Sequence, residues 1–433
     1  MNKRLINFHL RCVLVFTYFF GSTFALKAQT FSFQKDTIKL KLDSAENLFL
    51  QQNLSLLAQK YNIDIAKALI IQAKLFPNPN LSVARGPLLP LHDPDASFLN
   101  NGENQATLSQ LIWLAGKRNK QIKLAEANSK LAEYQFYDLL RTLKYTLRTD
   151  FFNIYYLLQS AKVYDSEINA LKQVVDAFNK QEGKGYISQK EVVRIKAQLY
   201  AFESEYNDLI NQINDTESEL RLILQTKNAF INPLVEVNKV AALKADTYSI
   251  ATLIDTAHIA RTDLLIAKQN TEISKLTYNY QKALAVPDLT INVSYDKQGS
   301  YVHDFHSVGA AIDLPFFNRN QGNIKSAKAA IAYNDALQKS TLATVEEQIE
   351  RALQKAYDQE KLFKKIDPSF VKDFEKLKNE VIHNYQIRNI GLLDFLDFYD
   401  SYKQNTIQIN NIEFNRVSAF EDLNFYTGVN FFN

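Results

Sequence analysis

The residues with the clearest potential for chemistry are three acidic side chains near the end of the chain. Asp394 and Asp397 are three residues apart at the start of a predicted helix, so they share one helix face, and Asp400 follows one turn later. Carboxylates often occupy the first turn of a helix only because they interact favourably with its dipole, by about 0.3 to 1 kcal/mol each. If symmetry brought several copies of the chain together, the same carboxylates would form rings that concentrate cations in a narrow pore. The spacing alone leaves both interpretations open.

No other group of residues points to catalysis or to metal binding. His303 and His306 are close together, and their spacing of three can suit a metal ion. They fall in a predicted loop between strands without a third ligand, and we interpret them as two solvated residues. The single cysteine, Cys12, lies in a segment that we expect to be removed, so the mature chain has no thiolate or disulfide chemistry. We therefore expect neither an enzyme nor a protein with a bound cofactor or a resident metal.

Residues 1–28 have the composition of a secretory signal peptide. Three basic residues precede an apolar run of about 15 residues, and Ala28 is a small residue at the predicted cleavage site. The run is short for a membrane helix, although a single-helix anchor is the alternative, because Leu26 is unusual three places before a cleavage site. Cleavage would remove four cations and change the formal net charge from +3 to −1. The mature chain is therefore not expected to bind nucleic acid.

The longest predicted element is a helix without proline from Lys117 to Glu182. Its apolar residues recur every three or four positions, the spacing that keeps side chains on one face of a helix. At about 1.5 Å per residue, an unbroken helix of this length would measure roughly 100 Å. The chain then turns at Gly183-Lys184-Gly185, and the same spacing returns between Ile195 and Leu220. These features predict an antiparallel helical hairpin of coiled-coil length.

The hairpin and the residues before it occur twice. Leu56-Leu57 recurs at Leu264-Leu265, and Pro79-x-Leu81 recurs at Pro287-x-Leu289, both with an offset of 208 residues. An offset that persists across half a chain indicates a duplicated architecture. Chance similarity between two amphipathic helices would explain matching leucines but not matching prolines.

The two halves are expected to differ within their long helices. Pro368 falls inside the second long helix, where its ring removes a backbone hydrogen bond and should kink or break the helix. In this part of the repeats the offset is 202 residues, because Lys162–Asp165 resembles Lys364–Asp367, and the first repeat has Ser166 at the position that matches Pro368. We therefore expect an interruption in the second hairpin only.

Short strands are predicted between the first helix and the long helix of each repeat. Asp288–Asp296 and Ser307–Leu314 alternate apolar and polar residues, and the alternation is weaker in Asn80–Arg85 and Gln105–Trp113. Strands of about eight or nine residues match the thickness of a bilayer when they are tilted. The predicted lipid-facing side of the second pair carries Leu289, Ile291, Val293, Val308 and Ile312.

Composition agrees with a mainly helical chain that would cross a membrane only as strands. Hydrophobic residues make up 46% of the sequence, with 11 glycines and 9 prolines. After the N-terminal segment, no apolar run reaches the roughly 20 residues that a spanning helix needs. Four strands are too few to close a barrel, for which about eight is the practical minimum. We therefore expect several copies to pool their strands, and the alternative is a pair of soluble hairpins packed on a helical body.

Three motifs resemble those of a known family, the outer-membrane factors of TolC type. Phe76-Pro77-Asn78-Pro79-Asn80-Leu81 resembles the family's entry into the first strand. Leu108-Ser109-Gln110, followed by Gly116-Lys117-Arg118, resembles its exit into the long helix. The strongest match is Leu314-Pro315-Phe316-Phe317-Asn318-Arg319-Asn320-Gln321-Gly322-Asn323-Ile324, the corresponding exit in the second half. The resemblance covers essentially the whole mature chain and is greatest to the CzcC-like components of heavy-metal cation efflux systems.

The resemblance implies a homotrimer in the outer membrane of a Gram-negative bacterium. Its fold would be mainly α with a small transmembrane β part, in which a twelve-stranded barrel continues into a twelve-helix periplasmic tunnel. After the signal peptide we expect a first repeat at 29–225, a mixed segment at 226–260 near the middle of the tunnel, and a second repeat at 261–433. Residues 30–42 would accompany the mixed segment.

The resemblance also implies the partners and the cargo. The partners would be outer-membrane lipid, a periplasmic adaptor protein and an inner-membrane transporter, expected to be driven by protons. The cargo would be heavy-metal cations. A channel for drugs or secreted polypeptides is the alternative within the fold, and a periplasmic helical scaffold without a pore is the alternative of a different class.

Finally, the resemblance assigns roles to the two hairpin turns. The residues that would form the adaptor-docking tip are Gly185, Ile187, Ser188, Ile390, Gly391 and Leu392. At the closed mouth of TolC-type channels an Asp-x-x-Asp pair faces the lumen, and a tyrosine nine residues upstream belongs to the gate. These residues correspond here to Asp394, Asp397 and Tyr385, with Glu191 as the acidic residue of the first turn. The family's basic residue four positions before the first aspartate is replaced here by Ile390.

Overall fold

The computed structural model describes residues 36–85, 104–298 and 302–432, so the predicted signal peptide lies outside the described residues. The strands are β1 (Asp36–Lys41), β2 (Asn80–Arg85), β3 (Asn104–Ile112), β4 (Ala229–Leu234), β5 (Leu289–Gln298) and β6 (His303–Ile312). The helices are α1 (Leu42–Gln52), α2 (Leu54–Ala73), α3 (Lys117–Glu182), α4 (Gln189–Leu224), α5 (Val237–Ala242), α6 (Ile250–Ala260), α7 (Thr262–Leu284), α8 (Gln321–Phe363), α9 (Pro368–Gln386) and α10 (Leu392–Thr427). The predicted mainly helical class is confirmed. Over these three ranges, no helix is both long and apolar enough to cross a membrane.

The helix α3 runs unbroken for 66 residues, as its proline-free sequence predicts. It begins after Gly116, whose φ of 64° lies in the left-handed region, and it ends at Gly183. Helix α4 packs back along α3. Leu171, Ile195 and Phe202, which lie in the contact between the two helices, have no exposed surface. The first hairpin is therefore held together by one apolar seam, the arrangement that the helical spacing predicts.

The predicted duplication is visible in the order and length of the elements. α1 at Leu42–Gln52 recurs as α6 at Ile250–Ala260, which preserves the offset of 208 residues found in the sequence. α2 and α7 follow in the same way, and each is succeeded by two strands and a long helix. The division of the chain at 226–260 stays a prediction, and α6, the counterpart of α1, falls inside that segment.

The second long helix is interrupted at Pro368, as the sequence predicts. α8 ends at Phe363 and α9 begins at Pro368. Asp367 is the N-cap of α9, and its Oδ1 accepts a hydrogen bond from the Ser369 N–H at 2.9 Å. Proline suits the first helical position because its missing N–H would have no partner there. α3 passes through Ser166 without a break, so a turn at 364–367 distinguishes the second hairpin from the first.

The four strands between the helices form one antiparallel sheet in the order β2-β3-β5-β6. β5 and β6 form a longer hairpin than the sequence predicts, because Gln298 pairs with His303 and Tyr295 pairs with His306. The prediction that these two histidines lie in a loop is therefore wrong. Antiparallel pairing continues here beyond the residues whose apolar alternation marks a strand in the sequence.

A second, two-stranded sheet lies beside the middle of α3. β1 pairs in parallel with β4, which places Ile38 next to Ile231. Ile231 is fully buried in a cluster with Phe151, Ile154 and Leu220 of the first hairpin. The segment at 226–260 contains β4 and the short helices α5 and α6.

Buried ion pairs fix the first hairpin to the last helix. Arg148 of α3 donates to both carboxylate oxygens of Glu421 on α10, at 2.6 and 2.7 Å, and to Glu46 of α1 at 2.8 Å. Removing one partner of such a buried pair leaves an uncompensated charge and typically costs about 3 to 5 kcal/mol. These contacts hold the two halves of the chain in one body.

Candidate functional site

The four-stranded sheet has an apolar face to which every strand contributes. Leu81 lies opposite Leu108, Leu108 opposite Val293, and Val293 opposite Val308. Directly opposite residues point to the same face of a sheet. All four side chains are exposed, Val308 by 78%. A contiguous apolar face of this kind marks a contact with lipid or with another protein.

The structure brings the predicted lipid-facing residues together on this face. Leu289 pairs with Ile312, and Val293 pairs with Val308. Ile291 lies between them on the same side of β5 because side chains alternate along a strand. The five residues therefore share one surface. That this surface meets lipid stays a prediction.

The opposite face of the sheet is polar. Thr107 Oγ1 and Ser294 Oγ form a hydrogen bond across β3 and β5 at 2.9 Å, and Ser307 lies opposite Ser294 on β6. Ser82 continues this row on β2. An apolar face and a polar face on the same strands are the pattern of a sheet with lipid on one side and water on the other.

Polar contacts that the sequence analysis did not identify fix the sheet onto the helices. Lys117 Nζ lies 2.6 Å from Asp288 Oδ1 and donates to the Val286 carbonyl at 2.6 Å. Arg118 donates two hydrogen bonds to the Lys74 carbonyl, at 2.9 and 2.6 Å. Both basic residues belong to the motif that follows β3. The motif was visible in the sequence, but the groups that it reaches lie far along the chain.

The turn of the first hairpin is built from local hydrogen bonds. Ser188 is the N-cap of α4. The Ser188 N–H and the Ser188 hydroxyl both donate hydrogen bonds to Glu191 Oε2, at 3.1 and 2.9 Å, and these bonds complete a capping box. Gly185 has a φ of 74°, a conformation that favours glycine. Ile187 is half-buried and Tyr186 is exposed. Glu191 therefore stabilises the start of its own helix, and its part in a gate stays a prediction.

The turn of the second hairpin has different constraints. Gly391 is the N-cap of α10 with a φ of −76°, which any residue adopts, so the backbone does not require glycine there. Ile390 and Leu392 pack against the apolar cluster of the hairpins. Arg388 donates to Gln181 Oε1 at 2.8 Å, so the two turns are linked directly.

Tyr385 lies inside the packing between the two hairpins. Its ring stacks on Phe395 of α10 with centroids 4.2 Å apart, and it also contacts Phe178 of α3. Its hydroxyl is buried and has no hydrogen-bond partner within the described chain. Burial and the nearby charge of Glu191 raise the pKa of Tyr385. The ring thus joins α3, α9 and α10 close to the turns.

The two aspartates at the start of α10 are exposed. Asp394 and Asp397 both point to solvent, whereas Asp400 is half-buried and pairs with Lys403 at 3.1 Å. In the part of the chain that the structure describes, no group of three or more His, Cys, Asp or Glu side chains is placed to hold a metal ion. What the exposed pair offers is negative charge near the turn of the second hairpin.

Comparison with known proteins identifies the fold. No protein-family model matches the sequence. The cobalt-zinc-cadmium resistance protein CzcC of Cupriavidus metallidurans is 21% identical over 291 residues, and the match spans 66% of this chain and 66% of CzcC, just under two thirds. The CmeC outer-membrane channel of Campylobacter jejuni superposes with a TM-score of 0.73 at 15% identity, over 90% of this chain and 86% of CmeC. The chain has the fold of the TolC-type outer-membrane channels.

Two further solved structures share the TolC-type fold. CusC superposes with a TM-score of 0.70 at 12% identity, over 91% of this chain and 94% of CusC. The outer-membrane protein VceC of Vibrio cholerae superposes with a TM-score of 0.68 at 17% identity, over 90% of this chain and 96% of VceC. The family resemblance that the motifs carry is confirmed, and it agrees with the predicted outer-membrane location.

In this TolC-type chain the predicted site residues form two groups separated by the length of α3, about 100 Å. The sheet face lies at one end, and the linked hairpin turns lie at the other, close to Tyr385 and the exposed aspartates.

Sequence reasoning missed two buried carboxylates between these ends, Asp150 and Glu167. Burial raises the pKa of each to about 7, with Glu219 adding to the effect at Asp150. Neither has a local sequence signal, because the helices that bury them are remote in the chain.

Proposed function

We propose that this TolC-type chain is the outer-membrane channel subunit of a tripartite efflux system that passively exports heavy-metal cations. The observation that carries the proposal is the amphipathic four-stranded sheet attached directly to two long helical hairpins. Its apolar face suits lipid and its polar face suits a water-filled lumen. A passive conduit needs only that path, so the energy would come from an inner-membrane transporter, expected to be driven by protons.

The sheet would be completed by two further copies of the chain. β2 and β6 are its edge strands, and open edges readily pair with other strands. Since about eight strands are needed to close a barrel, one copy is insufficient. Three copies supply twelve strands. Each copy also has four long helical segments, so a trimer would line its tunnel with twelve helices.

The hairpin turns would form the tip that docks a periplasmic adaptor. The docking residues in this proposal are Gly185, Ile187, Ser188, Ile390, Gly391 and Leu392. The direct contact between Arg388 and Gln181 supports a single continuous rim, because it joins the two turns. The tip lies at the far end of the helices from the sheet, where a periplasmic partner would meet it.

The cation cargo has two independent supports. The similar protein CzcC is named for resistance to cobalt, zinc and cadmium. In a threefold assembly, the exposed Asp394 and Asp397 would form two stacked rings of carboxylates near the tip, which would concentrate cations and disfavour anions. Tyr385 and Glu191 would belong to the same constriction.

Deletion of the gene tests the proposal. We expect the deletion strain to become several-fold more sensitive to one or more of zinc, cobalt, cadmium and copper, with dye sensitivity unchanged and metal resistance restored by the wild-type gene. Sensitivity to dyes alone would indicate a drug-efflux channel. Fractionation with the soluble periplasm, without a heat-modifiable trimer in the outer membrane, would indicate a scaffold without a pore.

A further inference from the structure

Glu167 of α3 is a carboxylate buried in the contact between the two hairpins. Its side chain is 1% exposed, and neither of its oxygens has a hydrogen-bond partner among the residues described. Lys378 Nζ of α9 lies 3.8 Å from Oε1, beyond hydrogen-bond distance. Burying a charged group without hydrogen bonds is costly, so native proteins rarely do it. Packing alone does not explain an acidic residue at this position.

Two helices present polar groups to Glu167. Lys378 of α9 also donates to Ser166 Oγ at 3.3 Å and lies 4.9 Å from the ring of Tyr402 on α10. Tyr399 of α10 has a hydroxyl that is likewise buried and unpartnered over the described ranges. Burial and the charge of Glu167 raise the pKa of this tyrosine. A carboxyl group and a phenol are therefore both buried without a hydrogen-bond partner in this region of the described chain.

Two carboxylates of α4 are already paired with lysines. On α4, Glu205 binds Lys403 of α10 at 2.7 Å, and Glu203 binds Lys172 of α3 at 2.8 Å. Lys378 is thus the cation that acts on Glu167. Because Lys378 also contacts Ser166, it provides a polar contact between α9 and α3.

α9 is joined to the rest of its hairpin in a way that would let it move. The turn at 364–367 separates it from α8, whereas α3 continues past the same level. On its other side α9 packs on α10, where Phe374 contacts Phe398 and Tyr402. Lys378 therefore connects α9, which a turn separates from α8, to α3, which is unbroken.

We propose that Glu167 and Lys378 form a proton-sensitive latch that sets how closely α9 lies against α3. Protonated Glu167 tolerates burial better than ionised Glu167, because it carries no charge that must be removed from water. Ionised Glu167 is better solvated if α9 moves away and admits water, and Lys378 only partly offsets this preference. The arrangement seen in the structure is therefore the one favoured at low pH. The functional consequence, a change at the channel tip, rests on the proposed function.

The sign and size of the effect follow from the titration of Glu167. Burial raises its pKa from 4.5 to about 7, while Lys378 lowers it. A pKa raised in the packed state means that packing is fully stabilised below pH 4.5 and is weakened as the pH rises through about 7. With an ordinary pKa in the opened state, the ratio of packed to opened forms should fall roughly tenfold between pH 6 and about 8.

Distance measurements by electron resonance on the purified full-length trimer in detergent test the latch. Spin labels at Gln173 of α3 and Lys372 of α9, both exposed, would report the separation of the two helices. We expect the population at the longer distance to increase roughly tenfold relative to the shorter one from pH 6 to about 8. Glu167→Gln should keep the shorter distance at both pH values, because glutamine does not ionise. Lys378→Met should enlarge the response and extend it to higher pH, because the lysine charge opposes protonation.

Matched variants separate the latch from other titrations. Glu375→Gln removes an exposed carboxylate of α9, and His383→Gln removes the exposed imidazole of the same helix; both should retain the wild-type response. A wild-type trimer without a pH response, or a Glu167→Gln trimer with the full one, would overturn the proposal. If Glu167→Gln does not assemble, the proposal would instead be overturned by a Lys378→Met trimer whose pH response equals that of the wild type. The distances require no transport, so a negative metal-sensitivity result would leave the latch intact.

Discussion

Carboxylates of this chain lie in two contrasting environments, and the contrast determines what each can do. Asp394 and Asp397 are exposed near the turn of the second hairpin, where water and mobile ions reach them. Asp150 and Glu167 are buried, each with an oxygen that lacks a partner in the described chain, and burial raises the pKa of both to about 7. Exposed carboxylates attract cations at neutral pH, whereas buried ones with a pKa near neutrality respond to protons.

Replacing both exposed aspartates tests their part in ion selection. The double variant Asp394→Asn, Asp397→Asn should lower the cation selectivity of the channel and weaken block by trivalent cations, because the rings would lose their negative field. Reversal potentials in single-channel recordings under a salt gradient would measure this. Asp255→Asn removes an exposed aspartate on α6, away from the turns, and should change nothing. Unaltered selectivity with normal trimer yield would mean that the pair serves only the helix dipole.

At the scale of the strand, the two faces of β5 should respond differently to charge. Val293→Lys places an ammonium in the middle of the apolar row between Leu108 and Val308 and should cost about 2 to 4 kcal/mol at the centre of a bilayer. Asn292→Lys is its matched control, since the neighbouring residue points to the polar face. The yield of folded trimer in the outer membrane would compare the two variants. Equal losses would count against a lipid-facing row.

The turn of the second hairpin offers a cleaner test of docking than the first. A substitution at Gly185 would strain the backbone, because its φ of 74° is unfavourable for other residues. At Gly391 the φ is ordinary, and a Cβ would lie 3.4 Å from Asp394 Oδ2. Gly391→Trp should therefore abolish metal resistance while leaving trimers in the outer membrane. Gly391→Ser, which adds a hydroxyl suited to capping α10, should retain resistance; a loss of trimer in Gly391→Trp would point to folding instead.

Elements were predictable from the sequence where local chemistry sets them. The length of α3 follows from its apolar spacing without proline, and the break before α9 follows from the ring of Pro368. The strand position of His303 was missed because backbone pairing carries β6 past the end of its apolar alternation. The contacts of Glu167 with Lys378 and of Lys117 with Asp288 join remote segments, so no local pattern reports them. The apolar face of the sheet was predictable because the alternation of side chains is a local pattern. The register between strands was not, because it depends on how remote segments pair.

For the whole molecule, the arrangement of apolar surface implies further copies of the chain. The helix α2 carries an exposed stripe whose members recur every three or four residues and are 44% to 61% exposed: Leu54, Leu57, Tyr61, Ile65 and Leu69. Residues at this spacing lie on one side of a helix. Exposed apolar stripes of this length mark contacts with other proteins. In a trimer, we expect this stripe to be covered by the neighbouring subunit.

A charge in the stripe should therefore prevent assembly without unfolding the chain. Ile65→Glu would place a carboxylate at the centre of the expected contact, where burying it without a partner is costly. Lys60→Glu is the control, because Lys60 is exposed on the same helix about 120° from the stripe. We expect Ile65→Glu to lose the heat-modifiable trimer while keeping the helical content of the monomer by circular dichroism, and Lys60→Glu to assemble normally. Normal trimers from Ile65→Glu would show that the stripe faces something other than a second copy of the chain.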